Sequence, residues 1–418
     1  MTKTIKSKAL ISAIFVALLC VLLSVAVALP ASAEELTPIA LEGSDAEVDN
    51  VSYDTNNCIQ DQYPVEVPTL IPTVSGSCGT NATWEYYEGT GELKILGSGS
   101  MSNYYSTNTP WYSYRSNIKN ITISEGIISI GEWSFSNCSS LTSIEVPSSV
   151  TSIGDYAFHL CCKLIEIYNL SELDISCGSE FNGSVGEFAK VIHTSKDEES
   201  IIENIDGYQV AYFDDTYYLL GYIGEETDLI LPTTFNYKGE VIDQYGIYVY
   251  AFAERGDIKS IEISPAVTRI DVYAFSDCDG LTEMTIPATV ESIDNFAFSG
   301  CSSLETIAVE EGNAVYHSKD NCIINTSKKE LIAGCQNSII PEDGSVTVIG
   351  NGAFDHCSTL VSIEIPSTIV RIGRLAFQWC TALTDIKIPS SVTRIEAHSF
   401  NGCSELIQKE SGISYVDK

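Results

Sequence analysis

Leu141-Thr142-Ser143-Ile144-Glu145-Val146-Pro147-Ser148-Ser149-Val150-Thr151-Ser152-Ile153-Gly154-Asp155-Tyr156-Ala157-Phe158-His159-Leu160-Cys161 is one statement of a phrase that recurs along the chain. The closing cysteine returns on a 23-residue grid, at Cys138 and Cys161, Cys278 and Cys301, then Cys357, Cys380 and Cys403. A fixed period in the twenties marks an array of stacked repeats. Each unit is too small to bury a core alone and gains one from its neighbours. Within the phrase, Ile144 and Val146 alternate with polar residues, as do Ile121/Ile123, Ile261/Ile263, Ile307/Val309, Ile363/Ile365 and Ile386/Ile388. That period predicts a short strand with one buried face. Pro147, Pro287, Pro366 and Pro389 end it where no ladder donor is needed. Val150/Ile153 and Val392/Ile395 predict a second inward pair, and Ala274-Phe275 or Ala376-Phe377 fills the far side of the unit.

Fourteen cysteines in an exported chain would point to disulfides. A cysteine that recurs once per repeat beside Phe and Leu reads differently, as a small buried hydrophobe with a weak S–H donor. Neighbouring strands about 4.8 Å apart leave a bridge within reach. Such a bridge would pair the repeats and break their equivalence, so the grid is read as free thiols. Off the grid, Cys58 with Cys78 and Cys322 with Cys335 are the candidate disulfides.

Lys3, Lys6 and Lys8 precede an uncharged apolar run from Ala9 to Leu29, and Ala31-Ser32-Ala33 supplies a small-residue cleavage site. Residues 1–33 therefore read as a secretory signal peptide, with an uncleaved membrane anchor as the alternative. The protein is expected to be secreted or extracellular, with cell-surface association an option and membrane contact only through an uncleaved segment. Cleavage removes three lysines and no acid, taking the net charge from −34 to −37. That charge excludes nucleic acid as a partner, because phosphate binding needs clustered Lys and Arg.

The phrase resembles the leucine-rich repeat of BspA-like bacterial surface and secreted proteins over residues 118–164 and 247–406. Ser75-Gly76-Ser77-Cys78-Gly79, Trp84 and Pro110-Trp111-Tyr112 resemble the segment that precedes such repeats. The resemblance implies a mainly β, right-handed solenoid of about 23-residue coils with an N-terminal cap and β-hairpin insertions. It also implies adhesion to host proteins or other cells. The expected organisation is a signal peptide at 1–33, a poorly ordered leader at 34–74, a β cap at 75–117 and repeats at 118–164, 247–309 and 342–406. A β-rich insertion at 165–246 and a hairpin insertion at 310–341 interrupt them, and 407–418 is a tail. Both insertions are expected as hairpins built onto the array, on the side where a ligand binds.

Chemistry is sparse. His159, His356 and His398 fall at variable repeat positions and read as exposed loop residues. No His-x3-His, CxxC or G-x-S-x-G pattern occurs, so the chain is read as a non-enzyme with no metal or cofactor. A cysteine hydrolase built on His317 and Cys322 is the remote alternative. The outward strand positions form a small-polar and acidic stripe whose carboxylates are Glu145, Glu262, Glu283, Glu364 and Asp385. These are the candidate protein-binding face. Tyr105, Trp111, Tyr112, Tyr217 and Tyr218 are a candidate aromatic surface. The expected partner is an extracellular or cell-surface protein; a structural envelope protein without a discrete ligand is the alternative.

Overall fold

The strand in each phrase forms as its alternation requires. Ser143–Val146 buries Ile144 and Val146 and turns Ser143 and Glu145 toward solvent. In the computed structural model, which describes residues 71–105 and 107–409, this strand pairs in parallel with Glu166–Asn169. Ser143 lies opposite Glu166 and Glu145 opposite Tyr168, an offset of 23 residues. The same offset joins Glu283–Ile286 to Thr306–Val309, and Ser362–Glu364 to Asp385–Lys387. The ladder continues through Val191–His193, past residue 164, where the sequence reading begins its insertion. The signal segment, Cys58 and nearly all of the leader lie outside the described residues.

Proline then opens a turn. The Val150 amide donates to the Pro147 carbonyl at 3.0 Å, and Val290, Ile369 and Val392 do the same after Pro287, Pro366 and Pro389. A second short strand follows and builds a second parallel ladder, as Ser152–Ile153 does beside Ile127–Ile130. Ile153 is buried, as expected of the second inward pair. Ile395 departs from that expectation at 43 % exposed, because its strand is the last in its ladder.

The third side of each repeat is a corner built around Phe. Trp133, Phe135 and Asn137 donate their amides to Asp155, Ala157 and His159 of the next repeat, while Ser134, Ser136 and Cys138 bond three residues back. Alternate amides thus serve the stack and the turn, and no backbone donor of the corner is wasted. This alternation needs left-handed backbone at two places per corner, two residues before and two after Phe. Trp133 and Asn137, Tyr156 and Leu160, and Tyr273 and Asp277 all have φ between 55° and 63°. Bulky side chains rarely adopt that conformation; the inter-repeat hydrogen bonds hold it here.

In the second and third repeat blocks the Phe rings stack almost parallel, whereas Phe135 and Phe158 are tilted by 41°. Centroids are 5.3 Å apart for Phe252 and Phe275, 5.6 Å for Phe275 and Phe298, and 5.1 Å and 5.3 Å along Phe354, Phe377 and Phe400. The grid cysteines sit beside this stack. Cys161, Cys278, Cys301, Cys380 and Cys403 each donate S–H to the carbonyl of the Phe 26 residues earlier, at 3.0–3.1 Å. That carbonyl usually also accepts an amide within its own corner, as Phe354 does from Cys357 at 3.1 Å. Two donors therefore satisfy both lone pairs of a buried oxygen. No cysteine among the described residues, Cys78 included, is in a disulfide, and of them only Cys177 is exposed. The expected Cys322–Cys335 bridge is not formed. Cys322 points at the Asp320 and Ile339 carbonyls, and Cys335 at that of Glu305.

Three antiparallel meanders precede the three sets of repeats. They are Val74–Ser77, Gly79–Tyr87 and Glu92–Met101; Ile202–Ile205, Tyr208–Phe213 and Thr216–Tyr222; and Tyr316–Lys319, Cys322–Asn325 and Glu330–Gly334. The third strand of each starts a parallel ladder, with Ser100 opposite Ser129, Tyr218 opposite Gly246, and Leu331 opposite Ile349. The later two meanders are not appended to one face, as the sequence reading had them. Ile323 packs into the core that spans Tyr208–Cys335, whereas Cys322 and Ile324 pack into the core that runs to Cys403. Val210 and Leu219 likewise face one cluster, and Ala211, Tyr218 and Leu220 face another. Burial on both faces requires continuous apolar runs such as Tyr217-Tyr218-Leu219-Leu220 and Cys322-Ile323-Ile324.

Phe377 has an aromatic neighbour on both sides and is fully buried, whereas Phe298 ends its stack at Phe275. Phe377→Ala should cost about 3–5 kcal/mol, and Phe298→Ala less. Urea denaturation of the two variants in parallel measures the difference; equal midpoints would deny the stack a cooperative role.

Candidate functional site

The outward strand positions recur on a series of separate short parallel sheets. Glu262, Glu283, Glu364 and Asp385 are exposed. Glu364 stands opposite Lys387, and Glu262 opposite Ile230. Ile230 was not singled out from sequence, yet it is 71 % exposed on an edge strand of this face. Its signal was the alternation Asp228-Leu229-Ile230-Leu231, which turns Leu229 and Leu231 inward. Glu145 differs from the other carboxylates because Lys196 reaches it at 2.7 Å. It lines a depression of about 460 Å³ on the same face, together with Glu92, Asn120, Thr122 and Tyr168.

Beside that depression lies a buried polar cluster that sequence reasoning missed. Register places Glu166 diagonally across from His193, and the carboxylate meets Nε2 at 2.8 Å. Glu166 also accepts from the Ser200 hydroxyl at 2.7 Å and the Ile201 amide at 2.8 Å. Nδ1 of the same imidazole faces Glu198 at 3.2 Å, and the ring stacks on Tyr168. The Thr194 amide, followed by His193, holds the Glu198 carboxyl below the usual range. Ser200 donates to Glu166 and not to imidazole, so its hydroxyl is not activated as a nucleophile would be. The cluster instead ties residues 194–201, a turn without helix, to the strand face.

The candidate aromatic surface divides. Tyr105 is 76 % exposed, while Tyr112 is half-buried under Arg115. Trp111 is core, contrary to expectation. It takes the place of Phe in the first corner, stacks on Phe135 and donates Nε1–H to the Ser134 carbonyl. Tyr218 is also buried, between Phe213 and Tyr248, because its strand is covered on both sides. Tyr217 is partly buried against Tyr212 and Tyr237, with its hydroxyl on Glu240. A partly exposed aromatic edge runs along the left-handed positions, with Tyr156 its most exposed member. Trp133 stacks on Tyr156 at 4.6 Å, and Tyr250, Tyr273 and Phe296 follow one another at 5.0 and 5.4 Å. His159 closes the first of these edges against Trp133 and Tyr156, and burial lowers its pKa. It is not the bare loop residue expected. His356 is likewise partly buried, while His398 is exposed.

The His317–Cys322 arrangement considered from sequence is not assembled. Cross-strand register pairs His317 with Ile324 and Cys322 with Lys319, and His317 instead meets the Thr326 hydroxyl at 2.8 Å. Burial pushes the Cys322 thiol up to about 12, so it stays protonated at neutral pH. Among the described residues, no group of three or more His, Cys, Asp or Glu is placed to hold a metal ion.

Family comparison places six copies of the BspA type leucine rich repeat region at residues 108–189, 245–328 and 332–411. Several solved structures are similar to the chain. A leucine-rich repeat protein from Eubacterium ventriosum is 23 % identical over 82 % of this chain and 98 % of its own, with a TM-score of 0.34. A leucine rich cell surface protein from Faecalibacterium prausnitzii is 20 % identical, covering 80 % and 87 %, at 0.37. The pneumococcal vaccine antigen PcpA is 16 % identical, covering 80 % of each, also at 0.34. Among curated proteins none matches the chain.

Glu166→Ala removes the acceptor of the part-buried Ile201 amide and of one nitrogen of the buried His193. It should cost about 3 kcal/mol or more and speed amide exchange at residues 194–201, with Glu166→Gln milder. Exchange in that segment unchanged from wild type would show that the cluster does not hold it.

Proposed function

Because this chain belongs to the BspA type leucine rich repeat family, we propose that it is a secreted or cell-surface protein whose strand face binds another protein. The reading takes the array as a right-handed solenoid of 23-residue coils, with residues 75–117 as its N-terminal cap and residues 1–33 as the export signal. The observation that carries it is the composition of the strand face. Exposed Glu262 and Glu283 flank a small-polar surface, and Ile230 offers an apolar anchor directly opposite Glu262. An apolar contact rimmed by like charges suits a partner with a basic rim around an apolar pocket. The depression beside Glu145 and Tyr168 extends the same face. Net charge of −34 adds long-range attraction for such a partner.

The corner ladder supports this reading from the other side. It leaves the strand face free of the Phe and Cys residues that hold the repeats together, so surface substitution there does not threaten the stack. Charge on a rim acts mostly on association rate and salt dependence.

The test is saturable binding of the mature chain to an array of extracellular-matrix proteins and intact bacterial cells. Glu262→Lys/Glu283→Lys/Glu364→Lys should weaken binding at least about tenfold, and Ile230→Asp should do so without altering the salt dependence. Binding that survives both would move the site off the strand face. Wall fractionation with no saturable partner would favour a structural envelope role.

A further inference from the structure

We propose that a cleft between the first block of repeats and the second meander binds a small oxyanionic ligand, a carboxylate, sulfate or phosphate compound, through Lys163, Lys119 and Arg255. The cleft has a volume of about 350 Å³, at the lower end of small-molecule sites, which run from about 300 to 1,000 Å³. The proposal is independent of the partner assigned to the strand face.

The chain departs from its own repeat to build this cleft. Two residues after the grid cysteine, the other repeats carry Ser140, Gly280, Ser303, Thr359 and Ala382, all small, apart from the last, where Glu405 stands; Lys163 occupies that slot here. Arg255 stands three residues after Phe252, where the other corners have cysteine. Two cations therefore replace a small residue and a thiol at positions that converge on one space. Lys119, the residue just before the strand Asn120–Ile123 that opens the first repeat block, joins them.

Lys163 is the central observation. Only 7 % of the residue is exposed, and its ammonium donates a hydrogen bond to no described residue. A buried ammonium without a partner is expensive, and proteins seldom keep one for stability. Gly221 keeps the space in front of it open: a Cβ there would lie 3.6 Å from Nζ and 2.7 Å from the Ala251 carbonyl. Arg255 is held rigidly, with Nε and Nη2 on Asp257 at 2.7 and 2.8 Å and Nη1 on the Tyr222 carbonyl at 2.8 Å. Lys119 donates to the Ile223 carbonyl at 3.3 Å. Both retain further N–H groups.

The carboxylates at the cleft are Asp257, already engaged by Arg255, and Glu225 and Glu254, which are exposed at its rim. Glu254 attracts the Lys163 ammonium from the rim, but water screens such a charge, and burial with repulsion from Arg255 outweighs it. Burial, followed by repulsion from Arg255, lowers the Lys163 pKa to about 8. The lysine is thus mostly charged at neutral pH, and a bound anion would raise its pKa again. Affinity should accordingly fall as pH rises past about 8. A chain with net charge −34 repels anions at long range, so anion binding would report a local site and not a general surface effect.

The experiment is calorimetric titration of the mature chain with sulfate, phosphate and succinate, each at constant ionic strength against sodium chloride. Saturable binding of at least one is expected, and the three arms identify the preferred oxyanion. Lys163→Met should weaken it about 10- to 100-fold, the worth of a charge-assisted hydrogen bond, and half-exposed Lys119→Met should weaken it less. Without ligand, Lys163→Met should melt at the wild-type temperature or above, because it removes an unpaired buried charge. Three results would each overturn the proposal: no saturable binding in any arm, binding unchanged by Lys163→Met, or a lower melting temperature that marks the lysine as structural.

Discussion

The carbonyl oxygen of the corner phenylalanine is where the repeats are joined. It is buried, it carries two lone pairs, and it receives an amide from its own repeat and a thiol from the next. The same corner places the Phe ring parallel to its neighbour and sends alternate amides across to the following repeat. Cysteine suits this position better than alanine, which has no donor, or serine, whose hydroxyl costs more to bury. The left-handed residues on either side of Phe follow from the same demand. Without the inter-repeat bonds, Trp133, Tyr156 and Tyr273 would have no reason to accept that conformation.

The meanders follow from the same constraint. A ladder of parallel strands exposes an unpaired edge at its beginning, and such an edge invites association. In each set of repeats one ladder starts on the third strand of an antiparallel meander, which covers that edge, whereas the strand-face ladder of the second set starts on the edge strand Asp228–Ile230. The later two meanders interrupt the corner stack, which is why the Phe series breaks between Phe298 and Phe354. Sites that a uniform array could not build arise at these interruptions. The Glu166–His193 cluster and the cleft around Lys163 both lie where the first repeat block meets the second meander.

Much of the repeat was legible in the sequence because its constraint recurs. Seven cysteines and the Phe beside them report one buried corner, and the Ile-x-Ile pairs report one strand face. The later two meanders are less legible, since several of their strands lack period-2 alternation. Cys322-Ile323-Ile324 and Leu331-Ile332-Ala333 are continuous apolar runs, the pattern of strands covered on both sides. Trp111 and Tyr218 read as surface aromatics only because their burial depends on partners distant in sequence. The outward aromatic edge had a local sign, the aromatic two residues before Phe at Trp133, Tyr156, Tyr250, Tyr273 and Phe296. Bulky left-handed residues have such low intrinsic propensity that position alone did not suggest exposure. Glu166 and His193 meet through strand register, which no local pattern encodes.

The corner depends on its cysteines being buried donors and not bridges or nucleophiles. Mass spectrometry after alkylation, first of the native protein and then of the unfolded protein, tests this directly. This arrangement predicts rapid native labelling at Cys177, protection of the eleven buried cysteines of the described residues until unfolding, and no disulfide-linked peptides among them. A disulfide between any two grid cysteines, or labelling of Cys278, Cys301 or Cys380 as fast as Cys177 in the native state, would contradict it.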